Sequence, residues 1–201
     1  MPSVYDLKPA FQGLLRPIVT HLARNGFTAN QVTLAAMVLS ILTGVGIALN
    51  AESAAWLLLL PLVLFVRMAL NAIDGMLARE HDQKTRLGAV LNELGDVISD
   101  AALYLPLALV AGFDARLIVL IVLLAVISEM TGVLTQTLGA TRRYDGPMGK
   151  SDRAFVFGTI GLALGLGFAP AGWLTPVLLF ILVLLLVTTV NRARRGLQEV
   201  A

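Results

Sequence analysis

The chain of 201 residues is too apolar for a soluble globular domain, because 57% of its residues are hydrophobic and its mean hydropathy is +0.83. It has no cysteine, which excludes disulfide bonds, thiolate catalysis and cysteine-ligated metals, and its two histidines are too few for a histidine metal cluster. The formal net charge is only +2, so the positions of the charged residues tell more than their sum. The composition therefore predicts a protein that crosses a membrane several times.

The first predicted element is an amphipathic helix over residues 4–23, where apolar side chains recur at spacings of three and four. Lys8, Gln12 and Arg16 take the other faces, and Pro17 interrupts the pattern. An amphipathic segment just before a first span suits a helix that lies in the headgroup layer. An ordinary helix packed on the bundle is the alternative.

A helix start follows at Thr28, where Gln31 can complete a capping box. Six apolar runs come next, each close to the ~20 residues that a bilayer requires. They cover residues 31–49, 54–73, 89–110, 117–138, 154–170 and 173–191. We see no internal repeat or second domain. The sequence thus predicts one all-α membrane domain over 1–201, with a juxtamembrane amphipathic helix over 1–27 and a six-transmembrane-helix bundle over 28–195.

Basic residues are concentrated on one side of this predicted bundle. They precede the first span, separate the second from the third and the fourth from the fifth, and follow the sixth: Lys8, Arg16, Arg24, Arg79, Lys84, Arg86, Arg142, Arg143, Lys150, Arg153, Arg192, Arg194 and Arg195. On the opposite side only Arg116 occurs. The positive-inside rule therefore places both termini, and the turn over residues 80–87, on the cytoplasmic side of a plasma (inner) membrane.

Polar and charged side chains interrupt the apolar pattern between residues 71 and 100. Read as two helices joined by a short turn, the stretch has one polar face on the first helix: Asn71, Asp74, Gly75 and Ala78. The second helix has another, with residues four apart: Gly88, Asn92, Asp96 and Asp100. A turn this short makes the helices antiparallel neighbours, so the two faces can enclose a polar chamber. Because charges at membrane depth are costly, they mark a functional site by default.

The same stretch resembles the signature of the CDP-alcohol phosphotransferases, also called CDP-alcohol phosphatidyltransferases, which runs Asp-x2-Asp-Gly-x2-Ala-Arg-x8-Gly-x3-Asp-x3-Asp. Six residues match at every required spacing: Asp74, Gly75, Ala78, Arg79, Gly88 and Asp96. Asn71 and Asn92 stand at the first and third aspartate positions. The resemblance implies a transferase of phospholipid biosynthesis that moves a phosphatidyl group from CDP-diacylglycerol to an alcohol and releases CMP. It also implies a homodimer.

The resemblance further implies that the four aspartate positions hold Mg²⁺ or Mn²⁺, which here are Asn71, Asp74, Asn92 and Asp96. Asp96 would also be the catalytic base that deprotonates the acceptor hydroxyl. Since an asparagine offers only a neutral oxygen, the site loses two formal charges relative to the signature. Weaker metal binding, fewer ions with help from Glu93 or Asp100, and a non-catalytic CDP-lipid-binding or assembly protein all stay open.

Two substrate subsites follow from the same resemblance. The CDP moiety is expected at Gly75, Ala78, Arg79 and Gly88. The phosphate of the acceptor is expected at four basic residues near the start of the fifth and the end of the sixth span: Arg142, Lys150, Arg153 and Arg192. If Lys150, Arg153 and Arg192 converge, the acceptor is a phosphorylated polyol such as glycerol 3-phosphate or inositol phosphate. Basic residues that only set membrane topology are the alternative.

Two further charges lie within predicted spans, at Arg67 and Glu129. An ion pair between them, or between Arg67 and Asp74 or Asp100, is the favoured interpretation. A more specific hypothesis is that Arg67 makes a second cation unnecessary beside Asn71. A transporter is disfavoured, because transporters carry their polar groups at the bilayer midplane and these crowd toward one surface.

Overall fold

The computed structural model describes the backbone of residues 4–201 and side-chain environments from residue 10 onward. Within these limits the chain is helical and has no strand. Seven α-helices follow in order: α1 Val4–Arg24, α2 Ala29–Leu49, α3 Leu59–Glu80, α4 Arg86–Tyr104, α5 Ala115–Leu134, α6 Lys150–Gly165 and α7 Leu174–Glu199. Three short 3₁₀ segments adjoin α3, α4 and α5, at Ala54–Leu58, Leu105–Leu109 and Thr135–Leu138.

Local capping explains where several helices begin. Thr28 accepts a hydrogen bond from the Gln31 amide at 3.3 Å, and the Gln31 side chain accepts one from the Thr28 amide at 2.9 Å. This is the predicted capping box of α2. Thr85 caps α4 by accepting from the Gly88 amide at 2.8 Å, and Asp114 caps α5. The turn between α3 and α4 is therefore short, because α3 ends at Glu80 and the capped α4 begins at Arg86.

Some helix ends differ from the predicted runs for identifiable reasons. The run over 154–170 becomes α6, which begins at Lys150 and ends at Gly165, because Gly167 adopts a left-handed φ of 91°. The run over 89–110 becomes α4 followed by a 3₁₀ segment that contains Pro106 near its start. Since proline has no amide hydrogen, it interrupts the α-helical ladder there. The last helix continues past residue 191 to Glu199.

Four stretches among the described residues are long and apolar enough to cross a bilayer: Ala29–Leu49, Ala54–Glu80, Ala115–Leu138 and Leu174–Glu199. Their outward faces carry exposed apolar side chains, such as Leu62, Leu123 and Phe180, which are suited to contact with lipid. The prediction of an all-α membrane protein is confirmed at this level. The count of six spans stays a prediction, because α4 carries several charges and α6 has only 16 residues.

The helices pack around two apolar cores. The larger is built from side chains of α2 to α7, and the smaller joins α1 to α2 and α3. In the smaller core, Leu15 and Val19 of α1 are buried with Met76 and Leu77 of α3, while Leu14 is 76% exposed. The helix over the predicted amphipathic segment thus rests on α3, and its place in the headgroup layer stays a prediction.

One glycine permits a very close approach between α2 and α4. A Cβ atom added at Gly44 would overlap the carbonyl group of Ala102. The absence of a side chain therefore brings the two helix backbones into contact and fixes the position of α4 against α2. The short turn after α3 keeps the polar faces of α3 and α4 side by side. Ion pairs from Arg142 and Lys150 to α4 place the loop between α5 and α6 at the same end of the bundle.

Candidate active site

Asp96 lies at the centre of the polar region between α3, α4 and α6. One of its carboxylate oxygens accepts a hydrogen bond from Asn71 Nδ2 at 3.0 Å, and Arg67 Nη2 lies 3.4 Å from the same oxygen. Arg67 Nη2 also donates to the Asp96 backbone carbonyl at 3.0 Å. Lys150 Nζ lies 2.5 Å from the other carboxylate oxygen. The structure thus brings the two predicted polar faces together, with protein donors on both oxygens of Asp96.

Asp100, one helical turn further along α4, is enclosed by two arginines. Arg67 Nη1 donates to one carboxylate oxygen, and Arg153 donates to the other from Nε at 2.9 Å and from Nη2 at 2.7 Å. All three side chains are at most 6% exposed. Of the three partners expected for Arg67, the structure shows Asp100. It also pairs Arg67 with Asp96, and among the described residues no ion pair joins Arg67 to Glu129 or Asp74. Such a buried pair is stable only while every charge keeps its partner.

Glu129 of α5 collects three of the basic residues expected at the acceptor phosphate. It receives Arg153 at 2.9 Å, Arg142 at 2.8 Å and Arg192 at 3.0 Å. Arg142 also forms a two-pronged pair with Glu93 at 2.9 and 2.8 Å. Burial acts to lower the pKa of Arg142, but hydrogen bonds to Glu93 and Glu129 raise it above its usual range. Arg153 and Arg192 thus meet on Glu129 together with Arg142, whereas Lys150 lies at Asp96.

The loop that carries Arg142 and leads to Lys150 is fastened to the end of α7. Glu199 accepts hydrogen bonds from the amide and hydroxyl of Thr141, each at 2.9 Å, and from Arg143 at 2.7 Å. Asp145 bridges Arg143 and Arg195, at 2.7 Å from each. Partial burial opposes the shift, but the hydrogen bonds and charges of these two arginines lower the pKa of Asp145. The loop is thereby held over the polar region.

Asp74 is buried on α3, one turn from Asn71, and accepts a hydrogen bond from the Thr33 hydroxyl at 2.7 Å. Thr33 belongs to α2 and was not expected at the site. Gly88 also faces α2, since a Cβ there would come within 2.7 Å of Asn30 Oδ1. The only sequence signal for Thr33 and Asn30 was the presence of polar residues at the start of an apolar helix. Asn92 is half-buried on α4, on the same face as Asp96.

Three of the residues expected at the CDP moiety lie close together near the end of α3: Gly75, Ala78 and Arg79. A Cβ at Gly75 would lie 3.1 Å from both terminal nitrogens of Arg79, so the guanidinium group covers this glycine. Arg79 is exposed, and among residues 10–201 it has no carboxylate partner within ion-pair distance. Ala78 is half-buried beside it. The arginine is therefore available to an anion.

The donors around Asp96 do not fit a divalent cation. Mg²⁺ takes oxygen ligands with free lone pairs, usually including one or two carboxylates. The carboxylate of Asp96 instead meets an ammonium, a guanidinium and an amide N–H group, all of which are donors. In the part of the chain that the structure describes, no three His, Cys, Asp or Glu side chains form a group that could hold a metal ion. The expected metal positions Asn71, Asp74, Asn92 and Asp96 stay a prediction.

Fold and site together define an α-helical membrane protein with a charge-rich centre between its helices. The chain belongs to the CDP-alcohol phosphatidyltransferase family, whose family model matches residues 27–191. The family membership inferred from the signature is thus confirmed.

Two curated relatives illustrate this membership. The chain is 50% identical over 192 residues to the inner membrane protein YnbA of Escherichia coli, and the match covers 96% of this chain and 95% of that protein. It is 28% identical to the phosphatidylinositol phosphate synthase of Mycolicibacterium smegmatis, with 94% of this chain and 86% of that protein covered. The name of the Escherichia coli relative and the apolar helices of this chain both agree with a location in a membrane.

Solved structures of Mycobacterium tuberculosis phosphatidylinositol phosphate synthase (PgsA1) share the fold. The structure with CDP-DAG bound is 22% identical with a TM-score of 0.71, and the match covers 92% of each chain. The complex with manganese and citrate is 23% identical with the same TM-score of 0.71, and 91% of this chain and 88% of that chain are covered. At these identities the likeness establishes the common architecture.

Proposed function

We propose that this protein transfers a phosphatidyl group from CDP-diacylglycerol to a phosphorylated polyol of the glycerol 3-phosphate or inositol phosphate type, and releases CMP. The observation that carries the proposal is the meeting of Asp96 with Lys150 of α6, beside the arginines that gather at Glu129. The family, the CDP-DAG bound to PgsA1 and the phosphatidylinositol phosphate synthase relative support it.

Arg79 would hold the phosphates of the CDP moiety. Its guanidinium group is exposed and can donate two parallel hydrogen bonds to phosphate oxygens. Gly75 lies directly beneath it and Ala78 beside it, while Gly88 keeps α4 close to α2.

Asp96 would act as the base on the acceptor hydroxyl. An ionised carboxylate has about four positions at which it can accept a hydrogen bond. The side chains of Asn71, Arg67 and Lys150 take three of them. The remaining position can receive the acceptor hydroxyl and take its proton. Phosphoryl transfer then depends mainly on alignment and charge stabilisation.

The phosphate of the acceptor would enter beside Glu129 and the three arginines that pair with it. Arg142 is the accessible member, since its side chain is 11% exposed while those of Arg153 and Arg192 are 1% exposed. We therefore assign direct contact with the acceptor phosphate to Arg142, since Lys150 lies at Asp96. Arg153 and Arg192 add positive charge from behind.

The membrane arrangement that we propose is one domain of six spans, with α4 and α6 crossing among the four long apolar helices. The basic side chains at one end of the bundle support a cytoplasmic site and cytoplasmic termini. The α6 helix is about 24 Å long, at ~1.5 Å for each residue, which is shorter than the hydrocarbon core of a bilayer. It packs on α3 inside the bundle, so we propose that it crosses together with the loops at its two ends. A homodimer remains part of the same proposal.

The test is a CMP-release assay with purified protein, labelled CDP-diacylglycerol and a panel of alcohols and their phosphates. We expect turnover with a phosphorylated polyol and its loss in Asp96→Asn. The matched control is Asp82→Asn, which alters an exposed aspartate in the α3–α4 turn. Binding of CDP-lipid without turnover for every acceptor would instead favour the second candidate function, a CDP-lipid-binding protein. The pairing of both Asp96 and Asp100 with protein cations is the observation that favours that candidate.

A further inference from the structure

The charged residues around Asp96 form one connected network whose positive charges outnumber its negative ones. Each member lies within ion-pair distance of the next, from Lys150 at one end to Glu93 and Arg192 at the other. Five members are cations and four are carboxylates: Arg67, Arg142, Lys150, Arg153 and Arg192 with Glu93, Asp96, Asp100 and Glu129. Asp74, bonded to Thr33, makes the charges equal. No excess of negative charge remains to attract a divalent ion.

Asn71 takes part in this balance as a donor. A carboxylate can only accept hydrogen bonds, so the atom of Asn71 that faces Asp96 at 3.0 Å must be the amide nitrogen. A carboxylate at position 71 would instead repel Asp96 unless a cation lay between them. The asparagine therefore allows α3 and α4 to approach each other at this point with no ion between them.

Lys150 holds the position that a bridging cation would need. Its ammonium group lies 2.5 Å from Asp96, and its side chain is 34% exposed whereas that of Asp96 is 16% exposed. An ammonium has three N–H donors, and the contact with Asp96 uses one of them. The others can reach a phosphate oxygen from the open side. Arg67 supports the same carboxylate from the buried side, with a side chain that is 3% exposed.

We propose that Lys150 and Arg67 take the place of a divalent cation at Asp96, so that the protein binds the diphosphate of a CDP-linked lipid without a metal ion. Lys150 would bridge the Asp96 carboxylate and a phosphate oxygen by hydrogen bonds. The inference rests on the proposed function for the identity of the ligand. Its statement about the metal concerns the protein alone and can be tested without substrate.

The first experiment measures Mn²⁺ binding to the purified, substrate-free protein by electron paramagnetic resonance, which reports the free ion. We expect the wild type to leave the Mn²⁺ signal unchanged. The variant that combines Asn71→Asp, Asn92→Asp and Lys150→Gln should bind Mn²⁺ stoichiometrically, because it restores two carboxylates and removes the ammonium. Stoichiometric binding by the wild type would overturn the inference, and so would the failure of a folded triple variant to bind.

The second experiment measures the affinity for CDP-diacylglycerol in chelator and in Mn²⁺. The wild type should show the same affinity within twofold, whereas Lys150→Gln should bind at least tenfold more weakly in chelator. Lys84→Gln is the matched control, because Lys84 is an exposed lysine of the α3–α4 turn. A tenfold gain in wild-type affinity with Mn²⁺ would overturn the inference.

The two experiments separate the possible failures. If the wild type binds no CDP-lipid under any condition, the proposed function fails, and the Mn²⁺ measurement still decides whether the site excludes the ion. If the wild type binds both CDP-lipid and Mn²⁺, the proposed function stands and this inference is wrong. Thermal unfolding of each variant shows whether it is folded before either result is interpreted.

Discussion

Replacing Asp100 by asparagine should strongly destabilise the protein, although the two side chains have nearly the same shape. Asp100 is 4% exposed and is the shared partner of Arg67 and Arg153. Asp100→Asn removes the negative charge and leaves an amide that can accept fewer hydrogen bonds. The guanidinium groups of Arg67 and Arg153 would then repel each other in a buried region, because the carboxylate that they share would be gone.

The expected loss follows from what each arginine retains. Breaking a buried pair by removing one partner typically costs about 3–5 kcal/mol. Arg153 keeps Glu129 at 2.9 Å and Arg67 keeps Asp96 at 3.4 Å, so neither is left without a carboxylate. We therefore expect the lower end, about 3 kcal/mol. For a chain of this size that corresponds to a fall in melting temperature of roughly 6–12 °C.

The assay is thermal unfolding in detergent micelles, with Asp82→Asn as the matched control. Asp82 is exposed and has a left-handed φ of 54°, which asparagine also tolerates, so the control should change stability by less than about 0.5 kcal/mol. Adding Arg67→Met to Asp100→Asn should recover part of the loss, because it removes one of the two charges left close together. If Asp100→Asn has the same melting temperature as the control, the reasoning about this buried pair is refuted.

Three further predictions concern nucleotide binding, helix packing and pH. Arg79→Lys should weaken CDP-diacylglycerol binding about tenfold in a ligand titration, because lysine cannot form the two parallel hydrogen bonds of arginine. Gly44→Ala should lower the unfolding free energy by about 1–3 kcal/mol, because the new Cβ overlaps the backbone of α4. Gly13→Ala is its control, since nothing lies within 4 Å of the corresponding Cβ. Partial burial acts to raise the pKa of Asp145, but Arg143 lowers it below the value of 3.8 expected in the unfolded chain. The ionised carboxylate therefore stabilises the α5–α6 loop at pH values above 3.8. Limited proteolysis of that loop should therefore accelerate as the pH falls below that value. Asp145→Asn should weaken this pH dependence, and the remainder should come from Glu199, whose pKa is lowered mainly by hydrogen bonds from Thr141.

Each of these predictions has a distinct contradicting result. Unchanged affinity in Arg79→Lys would mean that the exposed guanidinium does not meet the nucleotide. Equal stabilities for the two glycine variants would contradict the close contact between α2 and α4. Proteolysis that accelerates equally in Asp145→Asn would show that another group controls the loop.

The sequence predicted the features that depend on neighbours along the chain. The capping box at Thr28 and Gln31 is local, so the start of α2 could be predicted within two residues. The spacing of Asp74 and Asp96 led to the family, and helix periodicity placed Asn71 and Asp96 on facing stripes. These inferences needed only the geometry of one helix or of two helices joined by a short turn.

The partners of the charged residues could not be predicted in the same way. Periodicity shows which residues share a helix face, but the rotation and depth of a distant helix decide what that face meets. Lys150 was expected at the acceptor phosphate, and the structure places its ammonium 2.5 Å from Asp96. Arg153 similarly pairs with Asp100 and Glu129 at once, which requires α4, α5 and α6 to be in place together.

The most direct test of the account measures CMP release from CDP-diacylglycerol and a phosphorylated polyol, in chelator, by the wild type and by Asp96→Asn. The account predicts release by the wild type without added metal and a fall of roughly 100-fold or more in the variant, because general-base catalysis typically contributes that much. No release by the wild type with any acceptor, or equal rates for the two proteins, would contradict it.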